Sequence, residues 1–374
     1  MKAISSRKKL AVTSLMISIV ASAVLVALAS VGVASSAFSP SSAGAVYTID
    51  NSATGNNVLV YTRAPDGTLT AAGSVPANGL GTGAGLGSQG AVVLTQNGKW
   101  LLVVDAGSNE ISVFAVQGNT LTFVSKVGSQ GGDPISLTVN KGLVYVLDAA
   151  GNGNIAGFAL SNTGTLSYIP GSTQPLSGAI APSPEQIGFS SDGRVLVVTE
   201  KASNTIDTYV VNYPSGAAEA PTAFPSNGAG PYGFAFTGDG QLILSEAASN
   251  SLSSYVLSDS GQLRTISGAI PTFGNAPCWV AVRPDGQFAY TTNAHGGTIS
   301  SFSISRTGGL TLFSSVATHT AIPALDMDFS QGSPFLYVRN SASITGFRVF
   351  DDGSIMSIGS VSGLPAATTG LAAS

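Results

Sequence analysis

The chain has few charged side chains, one cysteine and two histidines, and these scarcities limit its chemistry. Only 9% of its 374 residues are Asp, Glu, Lys or Arg, and beyond the N-terminal segment we find no 3.6-residue periodicity typical of amphipathic helices. Cys278 has no second cysteine for an internal disulfide. Two histidines without Cys or Asp at ligand spacing do not form a zinc motif. The sequence therefore predicts a helix-poor fold held together by packing, with no cofactor.

Residues 1–45 differ from the rest of the chain. Arg7, Lys8 and Lys9 precede an apolar run at 10–33 without any charge, and small residues follow. This order is typical of a secretory signal peptide, with cleavage after Ala37 or Ala45. The alternative is an uncleaved anchor, since 24 apolar residues could span a bilayer. Either way, the folded part is predicted to be secreted, periplasmic or on the cell surface.

The net charge of the remaining chain bears on its partners. Without residues 1–45 it has 11 basic and 19 acidic residues, hence a formal charge of −8. Such a surface repels nucleic acid and anionic lipid. We therefore expect a monomer with no nucleic-acid partner, which contacts a membrane only through an uncleaved N-terminal segment.

Six turn-forming dipeptides recur along residues 46–374 with a regular spacing. They are Asn97-Gly98, Lys141-Gly142, Asp192-Gly193, Asp239-Gly240, Asp285-Gly286 and Gln331-Gly332, and their glycines are separated by 44, 51, 47, 46 and 46 residues. A period near 45 with four short strands per unit is typical of a β-propeller. The sequence predicts seven four-stranded antiparallel blades, each with strands A to D from the channel outward.

Blade 1 departs from the repeat. It starts at Val46 with the equivalent of a B strand, and no A strand precedes it. Residues 365–374 form the opposite fragment, an A strand without its turn. We therefore expect the C-terminal strand to complete blade 1 and close the ring, which leaves no free sheet edge.

The residues at the ends of the B strands are candidates for function. They are Asn51, Asp105, Asp148, Glu200, Glu246, Asn293 and Asn340. One interpretation is that these side chains cap the corner after strand B by bonding nearby backbone N–H groups. That interpretation is weaker for Glu200 and Glu246, whose longer side chains suit a corner less. We therefore expect these two carboxylates at the channel mouth, near Lys201.

Other candidates lie in or near the A strands. Gln186, Trp279 and Asp326 occupy equivalent positions there, and Tyr232 lies nearby in blade 5. Trp279 could fill the channel mouth or form an apolar wall for a ligand. Asp326 and the carboxylate two residues later could bind a divalent cation, although lining a water-filled channel is the simpler account. His295, in the blade 6 corner, could be a general base or an exposed loop residue.

Several segments resemble one family in more detail than propeller geometry requires. They are 198–201, 204–206, 230–234, 245–247, 254–255, 278–280 and 289–293. Across about 45–374, the chain resembles the lactonase-type seven-bladed propellers, which include 6-phosphogluconolactonases and 3-carboxymuconate cyclases. The resemblance implies ring opening of a lactone by water, or the reverse closure, at the channel mouth. Glu200 and Glu246 would then be the acids.

Two functions are compatible with these observations. In the first, an exported enzyme hydrolyses a lactone, with Glu200 or Glu246 as general base and Lys201 or Asn293 stabilising the oxyanion. Tyr232, Gln186, Trp279 and Asp326 would contact the substrate. In the second, a non-catalytic surface propeller binds a glycan or a protein, as rigid platforms do.

Overall fold

The computed structural model describes residues 43–178 and 181–374, and these residues form β-strands and turns. Most of the predicted signal peptide or anchor, residues 1–42, lies outside the described residues. In the two described ranges, we find no helix of the length and hydropathy that crossing a membrane requires.

The strands follow one another in groups that match the predicted blades. Blades 1 to 4 contain β1 (Gly44–Ile49), β2 (Asn57–Arg63), β3 (Leu69–Pro76), β4 (Val92–Leu94), β5 (Trp100–Asp105), β6 (Glu110–Gln117), β7 (Thr120–Gly128), β8 (Pro134–Asn140), β9 (Leu143–Asp148), β10 (Asn154–Leu160), β11 (Leu166–Tyr168), β12 (Gln174–Pro175), β13 (Pro184–Phe189), β14 (Val195–Glu200), β15 (Thr205–Asn212), β16 (Ala217–Ala218) and β17 (Thr222–Pro225). Blades 5 to 7 contain β18 (Pro231–Phe236), β19 (Gln241–Glu246), β20 (Ser251–Leu257), β21 (Leu263–Pro271), β22 (Pro277–Val282), β23 (Phe288–Asn293), β24 (Thr298–Ile304), β25 (Leu310–His319), β26 (Ala324–Phe329), β27 (Phe335–Asn340), β28 (Ser343–Val349) and β29 (Ile355–Ser362), and β30 (Thr369–Ala373) follows.

These strands form seven antiparallel sheets arranged in a ring. The A strands β30, β4, β8, β13, β18, β22 and β26 neighbour one another in that order, and β26 returns to β30. Each B strand lies inside its own sheet, and the neighbouring blades pack against both faces of that sheet. All residues of β5 and β14 are therefore buried. This double burial explains why the B strands are nearly continuous apolar runs. The predicted seven-bladed propeller is confirmed.

Blade 1 closes the ring with strands from both ends of the described chain. Its sheet has the order β3-β2-β1-β30. Val46 lies opposite Ala373 and Tyr47 opposite Ala372, and the Ser374 N–H donates to the Ala45 carbonyl at 2.8 Å. The predicted closure is confirmed, and β1 begins at Gly44, two residues before the expected start.

The turn glycines have the conformation that their spacing predicted. All six have φ between 65° and 88°, in the left-handed region that glycine adopts without steric cost. Six A-to-B turns serve seven blades because the A and B strands of blade 1 come from different ends of the chain.

Asparagines in the corners after strand B link blades 2, 4 and 5 each to the next blade. Asn109, Asn204 and Asn250 all have φ near 57°. Their Oδ1 atoms accept hydrogen bonds from the N–H groups of Asp133, Gly230 and Ala276, each at 2.8 Å. The acceptors lie in one corner and the donors at the entry of the next A strand, which explains why the corners are rich in asparagine.

Candidate functional site

The carboxylate of Glu246, in the corner after strand B of blade 5, is hydrogen-bonded by four nearby donors. The side chain is fully buried. Its carboxylate accepts bonds from the Gly228 N–H at 2.7 Å and from the hydroxyls of Ser226, Ser251 and Ser253 at 3.1, 2.6 and 2.6 Å. Because all four donors come from the same blade and its entry loop, this carboxylate holds the loop against the blade.

Glu200 occupies the same place in blade 4. It is fully buried, and it accepts bonds from the Ser203 hydroxyl at 2.6 Å and the Gly178 N–H at 3.3 Å. Burial raises the pKa of the Glu200 carboxyl, and the neighbouring Asp207 carboxylate raises it further.

Glycines in the loops between blades pack closely over these two carboxylates. A Cβ atom on Gly178 would overlap the Glu200 carboxylate, and one on Gly228 would overlap that of Glu246. Loop glycines meet the corner residues of blades 2, 3 and 6 in the same way, at Asp105, Asp148 and Asn293. The corner side chains thus point beneath the loops that join the blades, and Glu200 and Glu246 do not converge on the channel mouth as we expected. The catalytic role assigned to them stays a prediction.

Asn293 and His295 share the corner of blade 6. The Asn293 amide donates to the hydroxyls of Thr298 at 3.0 Å and Ser300 at 2.8 Å. His295 is exposed to solvent, and its backbone N–H donates to the Asn275 carbonyl at 3.2 Å. Neither side chain lines the pocket that contains Lys201.

That pocket, which we call the mouth pocket, has a volume of about 430 Å³ and includes Glu185, Lys201 and Tyr232 in its lining. The Lys201 ammonium is 2.9 Å from the Glu185 carboxylate and lies over the Tyr232 ring, 5.2 Å from its centroid. The Tyr232 ring packs edge-on against Trp279 at 5.2 Å. The structure thus places two predicted site residues, Lys201 and Tyr232, beside a carboxylate that we had not selected, and a third, Trp279, packs against Tyr232.

Glu185 is the charged centre of the mouth pocket. Its side chain is about 6% exposed, whereas that of Lys201 is 45% exposed. Burial raises the pKa of the Glu185 carboxyl to about 7, and the Lys201 ammonium opposes that rise. A carboxylate poised near neutral pH beside a cation can accept a proton from water while the cation stabilises negative charge.

Glu185 reaches the mouth pocket through a local irregularity of its strand. In blade 4, Pro184 pairs with Glu200 and Gln186 pairs with Thr199, so Glu185 is an extra residue in a β-bulge. Such bulges redirect a side chain and occur often beside active sites. One sequence signal could have identified it. The equivalent positions of blades 3 to 7 hold Ile135, Glu185, Tyr232, Cys278 and Leu325, and only Glu185 is charged.

A layer of hydrogen-bonded side chains, which we call the septum, lies between the mouth pocket and a second cavity. The Tyr232 hydroxyl donates to the Gly87 carbonyl, and the Trp279 indole N–H donates to the Ser88 carbonyl at 3.0 Å. The Gln186 amide accepts from the Phe234 N–H at 2.7 Å and donates to its carbonyl at 3.0 Å. Three side chains that we expected to contact substrate therefore also hold the top of the channel together.

Asp326 lies beyond the septum, in the lining of a second cavity. Arg339 donates to its carboxylate from Nη2 at 2.8 Å and from Nε at 3.1 Å. Burial raises the pKa of the Asp326 carboxyl, and Arg339 opposes that rise. Within the described residues, no three His, Cys, Asp or Glu side chains are grouped so that they could hold a metal ion.

Comparison with known proteins places this architecture in a family. The model of the family described as "Lactonase, 7-bladed beta-propeller" matches residues 36–174, 152–280 and 245–358. The chain belongs to this lactonase family. No curated protein sequence matches this lactonase-family propeller.

Solved structures share the fold of this lactonase-family propeller at low sequence identity. A candidate 6-phosphogluconolactonase from Bacteroides fragilis is 17% identical over 88% of this chain and 97% of its own, with a TM-score of 0.69. The periplasmic gluconolactonase of Pseudomonas aeruginosa is 16% identical over 88% of this chain and 99% of its own, also with a TM-score of 0.69. A virginiamycin B lyase from Staphylococcus aureus, 16% identical over 76% of this chain and 87% of its own, has a TM-score of 0.52. These similarities concern the fold.

Proposed function

We propose that this propeller hydrolyses a lactone in the mouth pocket, with Glu185 as general base and Lys201 as the oxyanion-stabilising cation. The observation that carries the proposal is the contact of 2.9 Å between a buried carboxylate and a half-exposed ammonium in a pocket of about 430 Å³. Family membership supports the reaction class. The pocket geometry supports the choice of residues.

The proposed reaction has two steps. In the first, Glu185 removes a proton from a water molecule whose oxygen attacks the lactone carbonyl carbon, and Lys201 stabilises the tetrahedral oxyanion. In the second, the intermediate collapses and the bond between the carbonyl carbon and the ring oxygen breaks. The departing alkoxide takes the proton from Glu185, which leaves a hydroxy acid and restores the carboxylate.

The surroundings of each side chain favour Glu185 over the other candidates. Glu200 and Glu246 accept bonds from serine hydroxyls and loop N–H groups in sealed corners, so a lactone would have to displace those partners. Cys278 is an unsuitable nucleophile, because burial raises the pKa of its thiol to about 12.

The pocket also favours an uncharged substrate. Lys201 is already paired with Glu185, and it is the only basic residue in the described lining of the mouth pocket. A phosphorylated sugar lactone would need further cations for its phosphate. We therefore expect neutral γ- or δ-lactones to be hydrolysed faster than their phosphorylated counterparts.

A panel of lactones tests this proposal. Release of acid from neutral and phosphorylated γ- and δ-lactones is followed across pH 5 to 9. With Glu185 as base, kcat/KM rises roughly tenfold per unit below pH 7 and levels off above it, because only the ionised carboxylate accepts a proton. Absence of turnover above the spontaneous rate would refute the proposal.

We also propose that the propeller is exported as a monomer and that its leader is cleaved after Ala37 rather than Ala45. Gly44 and Ala45 belong to β1. Ala45 exchanges hydrogen bonds with Ser374 in both directions, at 2.8 and 2.9 Å. Cleavage after Ala45 would remove this part of the ring closure, whereas cleavage after Ala37 leaves it intact.

The mature N-terminus tests the cleavage site. Mass spectrometry of protein recovered from the medium or periplasm of an exporting host is expected to show Phe38 as the first residue. A chain that begins at Val46 would contradict the choice of site, and an uncleaved chain held in the membrane fraction would support the anchor instead.

A further inference from the structure

The segment 86–90, which we call the strap, lies between blades 1 and 2 and forms hydrogen bonds with four other blades. The Ser88 hydroxyl donates to the Ile135 carbonyl of blade 3 at 2.7 Å, and the Gln89 N–H donates to the Glu185 carbonyl of blade 4 at 3.1 Å. The tyrosine and tryptophan bonds of the septum, from blades 5 and 6, end on two carbonyls of the strap. The strap therefore crosses the channel at the mouth pocket.

The bonds to blades 3 and 4 involve residues that lie in β-bulges. The A strands of blades 3 to 7 each have a register shift near their start. A bulge residue is left out of the ladder, so its carbonyl needs another donor. In blades 5 and 6 this donor is a hydroxyl on strand B of the preceding blade, since Thr199 donates to the Tyr232 carbonyl and Ser245 to the Cys278 carbonyl.

Blades 3 and 4 lack that hydroxyl. The equivalent residues, one position before the end of strand B in blades 2 and 3, are Val104 and Leu147, whose side chains cannot donate a hydrogen bond. The two strap bonds described above replace the missing donors. In blade 4 the strap thus holds the bulge that places the Glu185 carboxylate beside Lys201.

The side chain of Gln89 anchors the strap on the far side of the channel. Its amide donates to the Val280 carbonyl at 2.9 Å and accepts from the Val280 N–H at 3.0 Å. Blades 2 and 6 are not adjacent, so this pair of bonds crosses the channel. Gly233 leaves room for the crossing, because a Cβ atom there would overlap the Gln89 Oε1 atom. Gln89 also lines the second cavity, on the other side of the septum from Glu185.

We propose that Gln89 is a positioning residue for Glu185: its side chain anchors the strap to blade 6, its backbone N–H holds the Glu185 bulge, and its amide keeps water of the second cavity away from the carboxylate. The value of this arrangement for catalysis rests on the proposed function, in which Glu185 is the base. The hold on Glu185 is a structural property, so it can be measured without a substrate.

Loss of the anchor should change the titration of Glu185. Burial is the largest cause of its raised pKa, which is about 7, and the Lys201 ammonium opposes that rise. The other titratable groups nearby are Tyr232 and Cys278, whose pKa values burial also raises, and Asp133 in the mouth pocket. The acids that end β9 and β14 point into their own corners. Water admitted from the second cavity would favour the ionised carboxylate and so lower the pKa of Glu185.

Carbon-13 NMR of the glutamate carboxyl groups in Gln89→Ala tests the inference. The chain has only five glutamates, so the Glu185 signal can be assigned by its absence in Glu185→Gln. The variant is expected to fold, because water can enter the vacated space and bond the Val280 backbone. We expect the pKa of Glu185 to fall by about half a unit or more. With the best lactone, kcat should fall by about tenfold or more while KM changes by less than about threefold, because positioning rather than binding is lost.

Gln331→Ala is the matched control. It removes another amide that bonds a different blade, with Nε2 donating to the Thr95 carbonyl at 3.2 Å, but it lies in a glycine turn outside the strap. The pKa of Glu185 and kcat should both stay at their wild-type values.

Three results would overturn the inference: an unchanged or raised pKa of Glu185 in Gln89→Ala, an unchanged kcat in that variant where the wild type hydrolyses a lactone, or the same changes in Gln331→Ala. A lowered pKa in a protein without lactone turnover would refute the proposed function and leave the strap's hold on Glu185 intact. If Gln89→Ala does not fold, hydrogen exchange of the wild type decides. The Gln89 N–H should be protected like the strands, and exchange as fast as at the exposed Ala53 would show that the strap does not hold the bulge.

Discussion

Replacing Glu185 by Gln is expected to lower kcat/KM for the best lactone by about a hundredfold or more, the usual size of a general-base contribution. Gln retains the shape of the side chain and an acceptor for the Ser183 hydroxyl, which lies 3.3 Å from the carboxylate. It cannot accept a proton at neutral pH. The variant should therefore also lose the rise in rate below pH 7, while its melting temperature stays within a few degrees of the wild type.

Glu246→Gln is the matched control, because it makes the same chemical change in another buried carboxylate. Its effect should fall on stability, since three serine hydroxyls and a loop N–H are arranged around a charged acceptor. We expect a loss of about 2 kcal/mol in the free energy of unfolding, with kcat/KM of the folded protein nearly unchanged. The opposite pattern, with activity lost in Glu246→Gln and retained in Glu185→Gln, would restore the corner carboxylate as the base.

The architecture could be predicted from the sequence because it depends on regularly repeated, short-range signals. Each glycine turn fixes one hairpin, and six turns with two unmatched strand fragments require a closed ring of seven blades. Strand boundaries were less certain. β1 begins at Gly44, two residues before the expected start at Val46, because Gly44 and Ala45 also pair with β2 and no turn signal marks this end of the strand.

The candidate site could be predicted only in part, because it depends on the direction of individual side chains. Lys201, Tyr232 and Trp279 were selected and do lie together. Glu185 was missed because a one-residue bulge places it beside Lys201, and strand periodicity does not reveal bulges. Glu200 ends a strand that fits the repeat, but the loop glycine Gly178 covers its carboxylate. Gly178 lies 22 residues earlier in the chain, so the repeat pattern does not reveal this contact.

Deleting residues 367–374 is expected to destabilise the whole propeller, because these residues include β30. Leu371, Ala372 and Ala373 are each no more than 7% exposed. Their loss would uncover the edge of β1 and remove the contacts of β30 with β26 and β4. We expect a loss of about 5 kcal/mol or more, comparable with the total stability of many domains, and a fall in melting temperature of roughly 10 °C or more.

Addition of the missing strand in trans distinguishes loss of closure from general damage. A peptide of residues 365–374 should raise the melting temperature of the truncated protein in a concentration-dependent way, because it can pair with the free edge of β1 as an added strand. A scrambled peptide of the same composition should have no effect. If the truncated protein melted like the full chain, β30 would not be needed for closure. Rescue by the native peptide alone would instead show that the non-covalent seam between β1 and β30 holds the ring together.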